Sequence, residues 1–168
     1  LVVVDGGGCA LYAGFQCLPK KAKFKIICST AISAMGTGLP ELVGVSSRGS
    51  HKRYVCIIGD GSLMFNLQEL QTLKTNCPPC LIIVINNDGY LAIRHTQSQF
   101  LGRRFYGTSS YKNGIEIPLV KDIAKTFNFD YLVLDTKSNF DKIFEKSINY
   151  KKHTILEIIA SPSHGNLF

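Results

Sequence analysis

Short apolar runs alternate with helical stretches along this chain, and that alternation constrains the fold more than any other feature. Leu1–Val4, Lys25–Cys28, Tyr54–Ile58, Leu81–Ile85, Tyr131–Leu134 and Thr154–Ile159 each read as a strand. Asn66–Thr75 reads as a helix, with Leu67, Leu70 and Leu73 on one face. Asn66 is its expected cap, and Glu69 three residues on completes a capping box. Pro118 starts a helix running to Phe127, and Ser138–Tyr150 forms another. The segment after Cys28, up to Gly44, is rich in Ser, Ala and Gly. Gln97–Gly114 has no period and many Gly, Ser and aromatic residues, so it reads as a long loop. Strands separated by helices predict an α/β fold, an open, mostly parallel sheet with helices on both faces.

The 168 residues fit a single domain, 1–168, and 45% hydrophobic against 18% charged residues is a globular balance. The longest plain apolar runs, such as Leu81–Ile85, fall far short of the roughly 20 residues a membrane helix needs. No signal sequence opens the chain, so a soluble, cytoplasmic protein without membrane contact is expected. The chain begins without Met, on a strand already under way, which suggests part of something longer. Net charge is +7, yet the only dense basic run is Lys20-Lys21-Ala22-Lys23-Phe24-Lys25. No stacking aromatics repeat along it, so it reads as a solvated loop rather than a nucleic-acid contact.

Six cysteines raise the question of disulfides or zinc. Cys77-Pro78-Pro79-Cys80 has redox-motif spacing, but a reactive pair of that kind follows a strand and opens a helix. This pair follows a helix and precedes a strand. Zinc would need two further ligands, and neither a second CxxC nor an HxxxH exists. A Pro-stiffened connection carrying buried thiols is the expectation.

In an open parallel sheet, ligands bind beyond the carboxyl ends of the strands. Two such ends carry unusual polar residues: Gly59-Asp60-Gly61-Ser62 and Asn86-Asn87-Asp88-Gly89. Asp60 offers a carboxylate, Asn87 an amide oxygen, and Gly89 a main-chain carbonyl. Mg²⁺ takes such oxygen ligands together with phosphate oxygens. The amides of Gly61 and Ser62 lie near a helix entrance, where anions are favoured. The same residues also fit plainer roles, a turn at Asp60-Gly61 and a hairpin at Asn87-Asp88-Gly89.

Taken together, the motifs resemble the thiamine-diphosphate-dependent enzyme family. Gly59-Asp60-Gly61-Ser62 is followed, 27 residues after Asp60, by Asn87, with Asn66–Leu73, Pro and an apolar strand between. Asn87-Asp88-Gly89-Tyr90-Leu91-Ala92-Ile93-Arg94 and Ser33-Ala34-Met35-Gly36-Thr37-Gly38-Leu39-Pro40-Glu41 are similar to its acetolactate-synthase-like branch. The likeness runs from Asp5 to about Ile159. It implies that Asp60, Asn87 and the Gly89 carbonyl hold Mg²⁺, and that Gly61 and Ser62 hold the cofactor diphosphate. Gly8 and Tyr90 are further expected contacts. The Ser33 carbonyl would accept from the cofactor's amino group, and Met35 would support its bent shape, although gap filling is another use for Met35. Many acetolactate synthases carry Gln and His after the first strand, where this chain has Gly8 and Cys9.

The family implies decarboxylation of a pyruvate-type 2-keto acid and transfer to an acceptor, as a lyase or carboligase (transferase). It also implies a Glu from a pyrimidine-binding domain of the same or a neighbouring subunit, in a homo-oligomer. Glu41, Glu69, Glu116, Glu145 and Glu157 stand in no such context. No catalytic residue is therefore expected in this chain, and alone it should be inactive. Two rivals stay open: the cofactor subunit of a split decarboxylase, and a module that only senses a diphosphate. Gly6-Gly7-Gly8 lacks the dinucleotide spacing, and so does Gly36-Thr37-Gly38. His51, His95, His153 and His164 are scattered, with only His95 near the site. Arg94, Gln97, Arg103 and Arg104 fit a loop closing on the site or ordinary surface charge.

Overall fold

The computed structural model describes residues 1–16, 24–110 and 114–162. Lys20–Lys23 of the basic run, and His164, lie outside the described residues. Along the chain come β1 (Val2–Val4), α1 (Gly8–Gln16), β2 (Ile26–Cys28), α2 (Gly38–Ser46), β3 (Val55–Gly59) and the short α3 (Asp60–Leu63). They are followed by α4 (Glu69–Asn76), β4 (Leu81–Asn86), α5 (Leu91–Phe100), α6 (Val120–Phe127), β5 (Asp130–Leu134), α7 (Phe140–Ile148) and β6 (Thr154–Ile159). The six strands form one sheet in the order β2-β1-β3-β4-β6-β5, parallel at every pairing. The expected α/β class is what the chain adopts.

Both faces of the sheet are covered, so its strands are apolar on both sides. On one face Val3, Cys56, Ile58, Ile82, Val84 and Ile155 meet Leu39 and Leu42 of α2, Leu70 and Leu73 of α4, and Ile123 of α6. On the other, Leu81, Leu132 and Leu156 meet Ile143 of α7. No helix among the described residues is long and apolar enough to cross a membrane.

The amino ends of the strands are tied together. Tyr54 donates its amide to the Tyr150 hydroxyl at 3.0 Å, and that hydroxyl donates back to the Tyr54 carbonyl at 3.1 Å. Arg53 lies over the Tyr150 ring, and Cys80 Sγ sits 3.2 Å from His153 Nδ1. The Cys77–Cys80 segment joins α4 to β4, as read from sequence, and both thiols are free.

Several local expectations are corrected. Gln97–Phe100 belong to α5, not to a loop. The buried inner positions of that helix are Leu91 and Arg94, and an arginine on the inner face hides the apolar period. Asn66 does not cap α4: its Nδ2 donates to the Gly36 carbonyl at 2.9 Å, and the helix begins at Glu69 after a 3₁₀ turn. Asn87-Asp88-Gly89 leads into α5 and makes no hairpin. The glycine-rich stretches after β1 and β2, given no element from the sequence, lead into α1 and α2. The helix after Pro118 begins at Val120, and α7 is capped by Asn139 accepting from the Lys142 amide.

Candidate functional site

β1 is followed by β2 on one side and then by β3 on its other side, so the order of the strands reverses at the β1–β3 boundary. That is where open α/β sheets bind ligands. A cleft opens there, lined by Gly7 and Gly8 after β1, Gly59–Ser62 after β3, and Asn87, Gly89 and Tyr90 after β4. Met35 and Cys9 complete the wall, with Leu91–Ile93 of α5. Eight of the nine expected cofactor contacts thus meet: Gly8, Met35, Asp60, Gly61, Ser62, Asn87, Gly89 and Tyr90. Ser33 stands apart from the lining. It is exposed, its hydroxyl donates to the Thr30 carbonyl, and its backbone is left-handed at φ 51°.

Asp60 is the first residue of α3 and is buried. Its Oδ2 accepts the Gly89 amide at 2.7 Å, while Oδ1 is buried with no partner. Asn87 Oδ1 is also buried without a partner. Lone buried acceptors are rare because each forfeits its hydration. Asp60 Oδ1 and Asn87 Oδ1 are oxygens of the kind that could hold a cation. Burial pushes the Asp60 carboxyl above its ordinary value, and the amides of Gly89, Gly61 and Asn87 work in the opposite direction. Asn87 hydrogen-bonds the Cys9 thiol through its side chain, and burial raises that thiol's pKa. Among the described residues no cluster of three or more His, Cys, Asp or Glu stands ready for a metal. The oxygens here come from one carboxylate, one amide and main chain instead.

Gly61 is required by a close approach. A Cβ there would lie 2.5 Å from the Tyr90 ring, which itself meets Phe65 edge-on at 6.3 Å. Sequence reasoning assigned that glycine to phosphate access; the atoms crowding it are aromatic. The structure gives definite roles to two residues that the sequence left without one: Asp5, and Arg94, which stood open between a loop closing on the site and surface charge. Asp5 is fully buried at the end of β1, and its two oxygens accept the amides of Gly7 at 2.8 Å and Gly38 at 2.9 Å. It fixes the turn on one side of the cleft and the start of α2; a carboxylate directly behind an apolar strand was the available signal. Arg94 is buried, and its guanidinium donates to the carbonyls of Asn87 at 2.7 Å and of Asp88 and Thr108 at 2.6 Å each. It clamps the loop that carries Asn87 and Gly89. Burial lowers its pKa, against the pull of the Asp88 and Asp60 carboxylates. His95 and Gln97 lie on α5 and Arg103 and Arg104 beyond its end, and all four are outside the cleft lining.

A strand-end cleft of this kind defines a ligand-binding α/β domain, and comparison with known proteins names its family. The family model described as thiamine pyrophosphate enzyme, C-terminal TPP binding domain, matches residues 6–158. The chain belongs to that family, as its cofactor-binding domain. It is 30% identical over 142 residues to the acetolactate synthase large subunit of Pyropia yezoensis, covering 84% of this chain and 23% of that protein. Against the acetolactate synthase isozyme 1 large subunit of Escherichia coli K12 the identity is 33% over 134 residues, 80% of this chain and 23% of the relative. The chain therefore spans about a quarter of the curated relatives it matches. A Rhodococcus jostii RHA1 thiamine diphosphate-dependent 4-hydroxybenzoylformate decarboxylase shares the fold, with a TM-score of 0.75 at 20% identity, over 95% of this chain and 29% of that one.

Proposed function

We propose that this chain is the diphosphate-binding domain of a 2-keto-acid decarboxylase or carboligase resembling acetolactate synthase, and that it binds its cofactor through Mg²⁺. The observation that carries the reading is the pair of donorless buried oxygens, Asp60 Oδ1 and Asn87 Oδ1, in one cleft. With the Gly89 carbonyl they form the oxygen set such a cation takes, leaving its other positions to phosphate and water. Gly61, Ser62 and Met35 all line this cleft, where the first two would hold the diphosphate and Met35 would support the bent cofactor. When bound, thiamine diphosphate supplies the nucleophilic carbon for decarboxylating a pyruvate-type substrate.

The protein's own part here is to bind and orient. None of the five glutamates is among the residues that line the cleft. Activating the cofactor's pyrimidine ring falls to a second domain, of the same subunit or a neighbouring one in a homo-oligomer. Ile93 on the cleft wall is 44% exposed and Phe65, beside Tyr90, is 56% exposed, which supports a covering partner on this side. The chain alone is then expected to bind cofactor weakly and to leave pyruvate intact, because much of the ligand stays in water.

Calorimetric titration of thiamine diphosphate into the full-length protein, with and without Mg²⁺, tests the assignment. Magnesium-dependent binding that Asp60→Ala abolishes, with the fold retained, is the expected result. Equal affinities with and without the metal would overturn it.

A further inference from the structure

A diagonal of polar side chains crosses an otherwise apolar face of the sheet. Tyr131 on β5 pairs in register with Ile155, Glu157 on β6 with Val84, and Asn86 at the end of β4 with Ile159. Each polar residue thus lies two positions closer to the cleft than the one before. Glu157 is only 6% exposed, and both of its oxygens are taken. Oε1 accepts from Asn86 Nδ2 at 2.6 Å, and Oε2 accepts the Tyr131 hydroxyl. A carboxylate in a parallel sheet core is costly to bury, and well-packed apolar residues in place of such a network are often at least as stable. Packing alone gives no reason for it.

Its geometric effect is specific. An amide side chain presents a donor end and an acceptor end, and the network decides which points where. Because the Asn86 NH₂ is held by Glu157, its Oδ1 faces the Asp88 amide and accepts from it at 3.1 Å. The opposite orientation would put oxygen against carboxylate and NH₂ against N–H. Asp88 sits in the left-handed region at φ 62°, between Asn87 and Gly89, a conformation a non-glycine residue holds only under constraint.

We propose that Glu157 is a positioning residue for the metal loop: acting through Asn86, it sets the backbone at Asp88 and thereby aims Asn87 Oδ1 and the Gly89 carbonyl. This rests on the reading that those two oxygens hold Mg²⁺. Tyr131 orients the carboxylate from the far side. The loop is gripped at both main-chain polar atoms of Asp88, its N–H by Asn86 and its C=O by Arg94, while its carboxylate accepts from Ser110.

The test uses the full-length protein and titrates Mg²⁺ at fixed thiamine diphosphate, with thermal unfolding followed separately without ligands. Glu157→Leu should raise the Mg²⁺ requirement about tenfold or more, the usual effect of losing a partner that orients a metal ligand. Glu157→Gln keeps an acceptor for Asn86 and should recover most of the loss. Asn86→Ala, which leaves the Tyr131–Glu157 bond intact, should match Glu157→Leu, and the double variant should be no worse than either. Hydrogen exchange over residues 86–90 should quicken in the Leu and Ala variants and stay slow in the Gln variant. Magnesium-dependent binding left unchanged by Glu157→Leu or by Asn86→Ala overturns the positioning role alone. So does a loss that merely follows the melting temperature and is not rescued by Gln. Magnesium-independent binding by the unaltered protein overturns the metal reading, and the positioning role with it.

Discussion

Gly89 donates its amide to Asp60 Oδ2 at 2.7 Å, so one carboxylate oxygen is committed to the neighbouring loop while the other stays buried and donorless. The two halves of the site, after β3 and after β4, are therefore locked together before any ligand arrives. Asp60→Asn separates locking from binding. Its side-chain oxygen keeps the Gly89 bond, which leaves an NH₂ group facing the cleft, where a cation is repelled. Unfolding should be nearly unchanged, while the Mg²⁺ requirement for cofactor binding rises at least tenfold or so, read by calorimetry.

Gly89 has φ 99°, and a Cβ there would fall 2.6 Å from the Thr108 carbonyl oxygen. Gly89→Ala should destabilise the fold by about 1–3 kcal/mol from backbone strain alone and weaken cofactor binding as Thr108 is displaced. Gly59 provides the control: it has an ordinary extended backbone and open space around its Cβ position, so Gly59→Ala should leave the melting temperature close to that of the wild type.

Arg94 donates to three carbonyls at 2.6–2.7 Å, those of Asn87, Asp88 and Thr108. Arg94→Met keeps the length of the side chain but leaves those carbonyls without donors, at about 1–3 kcal/mol for each that water cannot reach. Arg94→Lys should fall between the two, because an ammonium lacks the planar fork. Chemical denaturation gives the stabilities, and cofactor affinity should drop in the same order.

His153 introduces a pH dependence. Burial holds its imidazole below the ordinary value of 6.5, so the unfolded chain binds the proton more readily. Its contribution to stability is present above about pH 6.5 and is lost as pH falls from there through the folded-state pKa. His153→Phe, which preserves the stack on Phe129, should flatten the fall in melting temperature between about pH 7 and pH 5. An unchanged slope would place the acid sensitivity elsewhere.

Cys80 is fully buried, and burial pushes its thiol up to about 12, so at neutral pH it is a protonated packing group rather than a metal ligand or nucleophile. Replacing Cys77 and Cys80 together by Ser should leave cofactor affinity unchanged. Stoichiometric zinc in the purified protein, absent from the double variant, would refute this.

Much of the architecture was legible because apolar strands announce themselves: β6 matches its expected Thr154–Ile159 span, and β4 extends by a single residue to Asn86. The strand ends drew attention to Asp60, Asn87 and Gly89, but a turn and a hairpin fitted the same residues, and the family resemblance was what favoured a metal site there. What stayed hidden depends on long-range geometry. Arg94 stood open between a loop closing on the site and surface charge because nothing local shows that carbonyls from three segments, Asn87–Asp88, Thr108 and Pro162, converge on it. The Asn66 cap failed for the same reason: its amide had a better partner in Gly36, thirty residues away. Glu157 looked like one more charged residue until the strand register laid it beside Asn86 and Tyr131.

The clasp of Tyr54 and Tyr150, with Cys80 and His153 beside it, lies at the opposite end of the strands from the cleft. Energetic effects of substitutions that share no partners add nearly independently. The molecule therefore offers two separate handles, one rim for durability and the other for ligand binding. A lineage could harden the clasp to withstand heat, or loosen it, without retuning ligand preference. The converse also holds: substitutions around Gly8, Cys9 and Met35 can reshape the cleft while the clasp at the far rim is left intact. Reinforcing the tyrosine rim first is accordingly the sensible starting point for anyone wishing to redesign this site.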